Sequence, residues 1–136
     1  MREKLFRGKR IDNGEWVYGF YFCMYHDDDR KHLHHFIIPL NVPIPKDKPI
    51  GEIQVEVNPD TVGQYTGLTD KNGKKIFEGD IAKNPINDGI FVVKYKNSLA
   101  CFLGISIHGN PSTGLCSGFE VIGNIHDNPE LLEVEP

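Results

Sequence analysis

The sequence predicts a mainly β fold with little helix: a small SH3-like barrel carrying an additional β-hairpin at its N-terminus. Three observations lead there. Short runs of aromatic and β-branched residues recur at the spacing of small barrels, about seven or eight of them. Glycines number 14 and prolines 9 in 136 residues, enough to punctuate the chain into short strands. No long stretch repeats its apolar residues with a helical period.

The length suits one domain with its own core. Three regions are expected within it: an N-terminal hairpin region over about residues 1–38, a proline-rich connection over 39–49, and a C-terminal β-barrel region over 50–136.

In "KLFRGKRIDNGEWVYGFYF", Asn13-Gly14 tolerates positive φ at both centres of a turn. The run after it, beginning at Trp16, is aromatic and β-branched, so a first hairpin is expected here. The polar tip "HDDDRKHLHH" follows, and "FIIPL" resumes a strand. "PLNVPIPKDKP" then holds four prolines, which cannot donate to a sheet ladder. "EIQVEV" alternates, with Ile53, Val55 and Val57 on one face and Glu52, Gln54 and Glu56 on the other, as in a half-buried strand. "NPDTV" suits one helical turn capped by Asn58. "GIFVVKY", "ACFLGISIH" and "FEVIGNI" read as further strands, and "GNPSTGLCSG" as a loop. "DNPELL" closes with a turn capped by Asp127 or Asn128.

The formal charge is −4. A protein that lives by neutralising phosphates carries a basic footprint, and this total lacks one. Cys23, Cys101 and Cys116 make an odd count without a CxxC pair. No secretory h-region and no apolar run of membrane length is visible, so a cytoplasmic location with reduced thiols is expected. Cys101, inside "LACFLG", reads as a small apolar core residue.

The stretch "QYTGLTDKNGKKIFEGDIA" gathers glycines, lysines and acids between Gln64 and Ala82. A phosphate loop needs G-x-x-x-x-G-K-[ST] and a following helix. Here five residues, not four, separate Gly67 from Gly73, Lys75 follows Lys74, and no helix pattern follows. Turn chemistry accounts for the stretch better. Asn72-Gly73 signals a type I′ hairpin turn, with Lys71, Lys74 and Lys75 at its exposed end. Gly67 supplies another bend. "EGDI" makes a corner in which Asp80 bonds backbone.

This stretch, with "VIGNIHDNPELL", "FRGKRIDNGEWVYG" and "VNPDTVGQYTG", closely resembles the YopX family. The resemblance covers most of the chain and is thinnest over residues 22–51. It implies a mostly β, barrel-containing fold and a small protein encoded by bacteriophages and prophages. It brings no assigned activity, so no catalytic residue carries over. The motif residues Gln64, Tyr65, Thr66, Gly67, Asn72, Gly73, Glu78, Gly79, Asp80, Gly123, Asn124, Asn128 and Pro129 are read as structural.

Other constellations fall short of chemistry. His26, His32, His34 and His35 neighbour Asp27, Asp28 and Asp29, but a closed zinc site needs four ligands and no recognised spacing is present. Ser106 and His108 share a strand face without the nucleophile-elbow motif. Glu78 and Asp80 are two acids whose separation a sequence does not fix. No cofactor, metal or catalytic residue is therefore assigned.

The expectation is a non-enzymatic phage accessory protein that binds protein, either itself or a host or phage factor. Trp16, Tyr18 and Phe20 form the candidate surface, since Val17 and Tyr21 give the same strand a second apolar face. The alternative is a nucleic-acid-binding regulator using Lys71, Lys74 and Lys75 beside Tyr65 and Phe77. A small enzyme whose site forms only between chains is a third possibility.

Overall fold

The computed structural model describes residues 4–25, 31–40, 46–49, 53–107, 113–115 and 118–133. Eleven strands form among them: β1 (Phe6–Lys9), β2 (Trp16–Tyr25), β3 (Leu33–Pro39), β4 (Val55–Glu56), β5 (Gly63–Thr69), β6 (Lys75–Phe77), β7 (Asp80–Lys83), β8 (Ile90–Lys96), β9 (Cys101–Ser106), β10 (Thr113–Gly114) and β11 (Glu120–Asn124). Among the described residues, helix comprises the 3₁₀ turns Pro59–Thr61, Asn97–Leu99 and Pro129–Leu132 and a single helical residue, Ile53. The mainly β expectation holds. The strand count exceeds the expected seven or eight; one addition is β10, a two-residue piece too short to show a pattern.

The strands make two antiparallel sheets, ordered β4-β3-β2-β1-β5-β6 and β10-β9-β8-β7-β11. Each order has two separate end strands, so neither sheet closes. The expected SH3-like barrel is thus corrected to open sheets. Strand number and spacing are the same for open and closed sheets, and closure depends on one further ladder between the end strands.

The chain divides into two compact units, residues 1–64 and 65–136. In the first unit, Val17, Ile37 and Val57 are buried, and Tyr21, Val55 and Val62 pack against them. β2 places Val17 and Tyr21 on this inner face and Trp16, Tyr18 and Phe20 on the other, as a period of two requires. Gly19 allows β2 to lie tightly on β3: a Cβ there would fall 1.9 Å from the Ile38 carbonyl oxygen. The β1–β2 turn differs from the expected form. The Arg10 N–H donates to Glu15 O, the Gly14 N–H donates to Arg10 O, and only Gly14 (φ 73°) is left-handed, not Asn13. The predicted strand over 52–57 shortens to β4, with Val57 bridging to Arg10 and Glu52 outside the described residues. Asn58 caps the Pro59–Thr61 turn by accepting from the Asp60 N–H, as expected. Much of the proline-rich connection, residues 41–45, also lies outside the described residues.

In the second unit, Ile76, Ala82, Phe91, Val93 and Phe119 form the core, with Leu68, Leu115 and Val121 against it. The segment expected as a loop between β9 and β11 contributes β10, which pairs with Leu103 and Gly104; residues 109–112, 116 and 117 of it are outside the described set. β11 carries a bulge between Val121 and Gly123. Asn128 stands at the cap position of the last turn. Its side chain instead accepts from the Asn124 N–H at 3.2 Å. No helix among the described residues is long and apolar enough to cross a membrane.

Candidate functional site

The aromatic strand β2 is the first candidate surface. Its outer face begins at Trp16, opposite Lys9, and continues through Tyr18, opposite Arg7. The Arg7 guanidinium lies 4.7 Å and the Lys9 ammonium 5.4 Å from the Trp16 ring centroid. Trp16 is therefore half-buried under cations held by its own sheet, and is less available than its neighbours. Tyr18 is 41% and Phe20 56% exposed. Farther along, Phe22 stacks on Phe36 at 5.5 Å between centroids, and Phe36 is buried.

The exposed apolar surface extends beyond the residues the sequence singled out. Met24, Tyr25, Leu33 and Leu40 are each more than two-fifths exposed. Their signal in the sequence was weak, because Leu33 and Leu40 flank polar or proline-rich segments. Sheet register shows why they are exposed. β1 covers β2 only from Trp16 to Gly19, and β4 reaches β3 only at Phe36 and Ile37. Among the described residues, the rest of the β2–β3 ladder, to the Tyr25–Leu33 pair, forms a two-stranded arm. An arm of two strands buries little by itself and gains from being covered.

The lysine turn in the second unit is the other candidate. Residues 71–75 are all exposed. The turn is not type I′: the Asp70 N–H donates to Lys74 O at 2.7 Å, the Gly73 N–H donates to Asp70 O at 3.0 Å, and Gly73 (φ 83°) alone is left-handed. Such a three-residue loop with glycine at the left-handed position is the next most common hairpin form. Each lysine faces a neighbour within the unit. Lys71 Nζ lies 3.4 Å from Glu120 Oε2, Lys75 Nζ lies 5.1 Å from the Tyr65 ring centroid, and the Lys74 charge acts on Asp70. Glu120 and Asp70 thereby offset part of the positive field that a polyanion would meet.

Asp70 is the residue that sequence reasoning missed. It is 4% exposed. Oδ1 accepts from the Asn72 N–H (2.8 Å) and the Lys74 N–H (2.9 Å), and Oδ2 accepts from the Val121 N–H (3.0 Å). Burial works to raise its pKa. The three backbone donors and the Lys74 charge outweigh burial and hold the carboxyl below its ordinary value. Asp80, 1% exposed, accepts from the Phe77 N–H at 2.7 Å, as the corner reading expected. Gly79 (φ 92°) and Gly67 (φ 91°) supply left-handed bends. No helix follows Gly73; the strand β6 does.

His34 and His35 sit on opposite faces of β3. His34 Nδ1 meets Glu56 Oε2 at 2.9 Å, and His35 Nδ1 meets the Tyr21 hydroxyl at 2.6 Å. His32 precedes the strand, while His26 and Asp27 to Asp29 lie outside the described residues. Among the described residues, no group of three or more His, Cys, Asp or Glu side chains converges. Ser106 ends β9, and His108, its suggested companion, is outside the described residues, as is Cys116. Cys101 is half-buried on β9 rather than in the core, and Cys23 is exposed on β2.

A family model described as YopX protein matches residues 5–133. Among solved structures, the chain is similar to the crystal structure of protein EF1440 from Enterococcus faecalis. The identity is 25% and the TM-score 0.56, over 98% of this chain and 100% of that one. No curated protein matches.

Proposed function

The chain belongs to the YopX family, and from that premise we propose that it is a phage or prophage accessory protein that acts without catalysis, by binding a second copy of itself through the β2–β3 arm. The observation that supports this reading most is the apolar arm. Phe20, Met24, Tyr25 and Leu33 are exposed on a ladder that is two strands wide among the described residues. The strand segment from Phe20 to Tyr25 reads "FYFCMY" and carries no charge, so an antiparallel pairing of this segment with its own copy meets no like-charge opposition. A two-fold contact places one patch against the same patch, which suits a surface of this kind.

Sedimentation velocity tests the proposal. The wild type is expected to sediment as a dimer or larger at tens of micromolar, and Phe20→Glu as a monomer with an unchanged far-UV spectrum. A wild type that remains a monomer across that range overturns it.

The exposure of residues 71–75 supports a second reading, a nucleic-acid-binding regulator. It requires affinity for single strands that falls steeply with salt and vanishes in a triple Lys71→Glu, Lys74→Glu, Lys75→Glu variant.

A further inference from the structure

The inner face of the same arm carries a chemical grouping with a second use. Cys23 is exposed and stands directly across the β2–β3 ladder from His35. Tyr21, two residues earlier on β2, points to the same face. Its hydroxyl is 2.6 Å from His35 Nδ1, and its ring lies nearly parallel to the imidazole, with interplanar angle 6° and centroids 5.8 Å apart. The ring is held from its other side by Phe6, with centroids 5.2 Å apart. Burial raises the Tyr21 pKa, and the Cys23 sulfur raises it further by charge and by a hydrogen bond with the phenol. The phenol thus meets the imidazole, and Cys23 stands beside both on the same face, opposite His35.

We infer that Cys23, Tyr21 and His35 form a proton relay that makes Cys23 a site of thiol–disulfide exchange with low-molecular-weight disulfides. With His35 protonated on Nε2, the Cys23 S–H donates to the Tyr21 oxygen and the Tyr21 O–H donates to His35 Nδ1. As Cys23 Sγ attacks one sulfur of the incoming disulfide, its proton passes to the phenol oxygen and the phenol proton to Nδ1. A new S–S bond forms at Cys23 and the disulfide's own S–S bond breaks. The departing thiolate takes one proton back from the relay and leaves as a thiol. Cys23 is oxidised, the small disulfide is reduced, and the net reaction is one thiol and one disulfide exchanged for another pair. Attack and departure are the steps that govern such exchanges, and a positioned base assists the first while its conjugate acid assists the second. The titratable groups on this face of the two strands are Tyr21, Tyr25 and His35, so the imidazole is the base placed to take the proton.

The test is the rate of reaction with Ellman's reagent, an aromatic disulfide, in protein whose other two cysteines are replaced by serine. At pH 7 the folded protein is expected to react at least about tenfold faster than glutathione, the lower range of a positioned base being larger still in enzymes. Tyr21→Phe and His35→Gln are each expected to lose that advantage. At pH 9.5, where a free thiol of pKa about 8.5 is mostly ionised without help, both variants are expected to match the wild type. Equal losses at both pH values would mean that the substitutions merely blocked access, and would overturn the relay. The wild type alone is also decisive: a folded protein that reacts no faster than glutathione at pH 7 refutes the inference, whatever the variants do. Cys23→Ser must abolish the reaction.

Discussion

Asp70→Ala removes one carboxylate and leaves three backbone N–H groups in search of acceptors. The carboxylate is almost wholly buried, and its partners come from two parts of the second unit: Asn72 and Lys74 in the turn, and Val121 on β11. A hydrogen bond to a charged group contributes about 1.5–3 kcal/mol. The amides of Asn72 and Lys74 belong to exposed residues and regain water, so we count them at about 0.5 kcal/mol each, as for neutral exchange. Val121 is half-buried beside the core and keeps most of its penalty, about 2 kcal/mol. The sum is about 3 kcal/mol, which for a chain of this length lowers Tm by about 10 °C. Differential scanning calorimetry and urea titration read it.

The pH dependence gives a second check on Asp70. Its folded carboxyl titrates below the ordinary 3.8, so its contribution is present above that value and is lost as pH falls through the folded value. The gap between wild type and Asp70→Ala should be flat from about pH 5 to 7 and shrink below about pH 4. A loss under about 1 kcal/mol, or a gap as wide at pH 3 as at pH 7, would refute the reasoning.

Other predictions concern the backbone. Gly19→Ala places a methyl against the Ile38 carbonyl, separates β2 from β3, and should cost more than about 3 kcal/mol or abolish soluble expression. In the lysine turn, Gly73→Ala should cost about 1 kcal/mol in urea titration, whereas Asn72→Ala should stay within about 0.5, because only Gly73 is left-handed. A type I′ turn would make both positions costly. Ala100, exposed and left-handed at φ 50°, should tolerate Ala100→Gly with a gain of about 0.5 kcal/mol once the extra chain entropy of glycine is set against the relieved strain.

Local patterning specified the class of structure and the position of most of its corners. Period-two alternation decided which face of β2 would hold Val17 and which would hold Tyr18 and Phe20, because strand geometry leaves no other choice. Turn chemistry marked Gly14, Gly67, Gly73 and Gly79, since a left-handed residue without a Cβ carries no steric cost. The motifs that resemble the YopX family, which the matching family model then showed, were legible for the same reason: they are these corners.

Three matters depended on contacts between segments distant along the chain. Whether the sheets close depends on ladders between strands distant in sequence, which no local pattern encodes. Asp70 carries no distinctive signal in the sequence; its role arises because β11 brings the Val121 N–H, 51 positions away, to its second oxygen. The Cys23–Tyr21–His35 grouping exists because register sets residue 23 opposite residue 35. A shift of one residue would turn the imidazole to the other face, and register is a property of the paired strands, not of either strand alone.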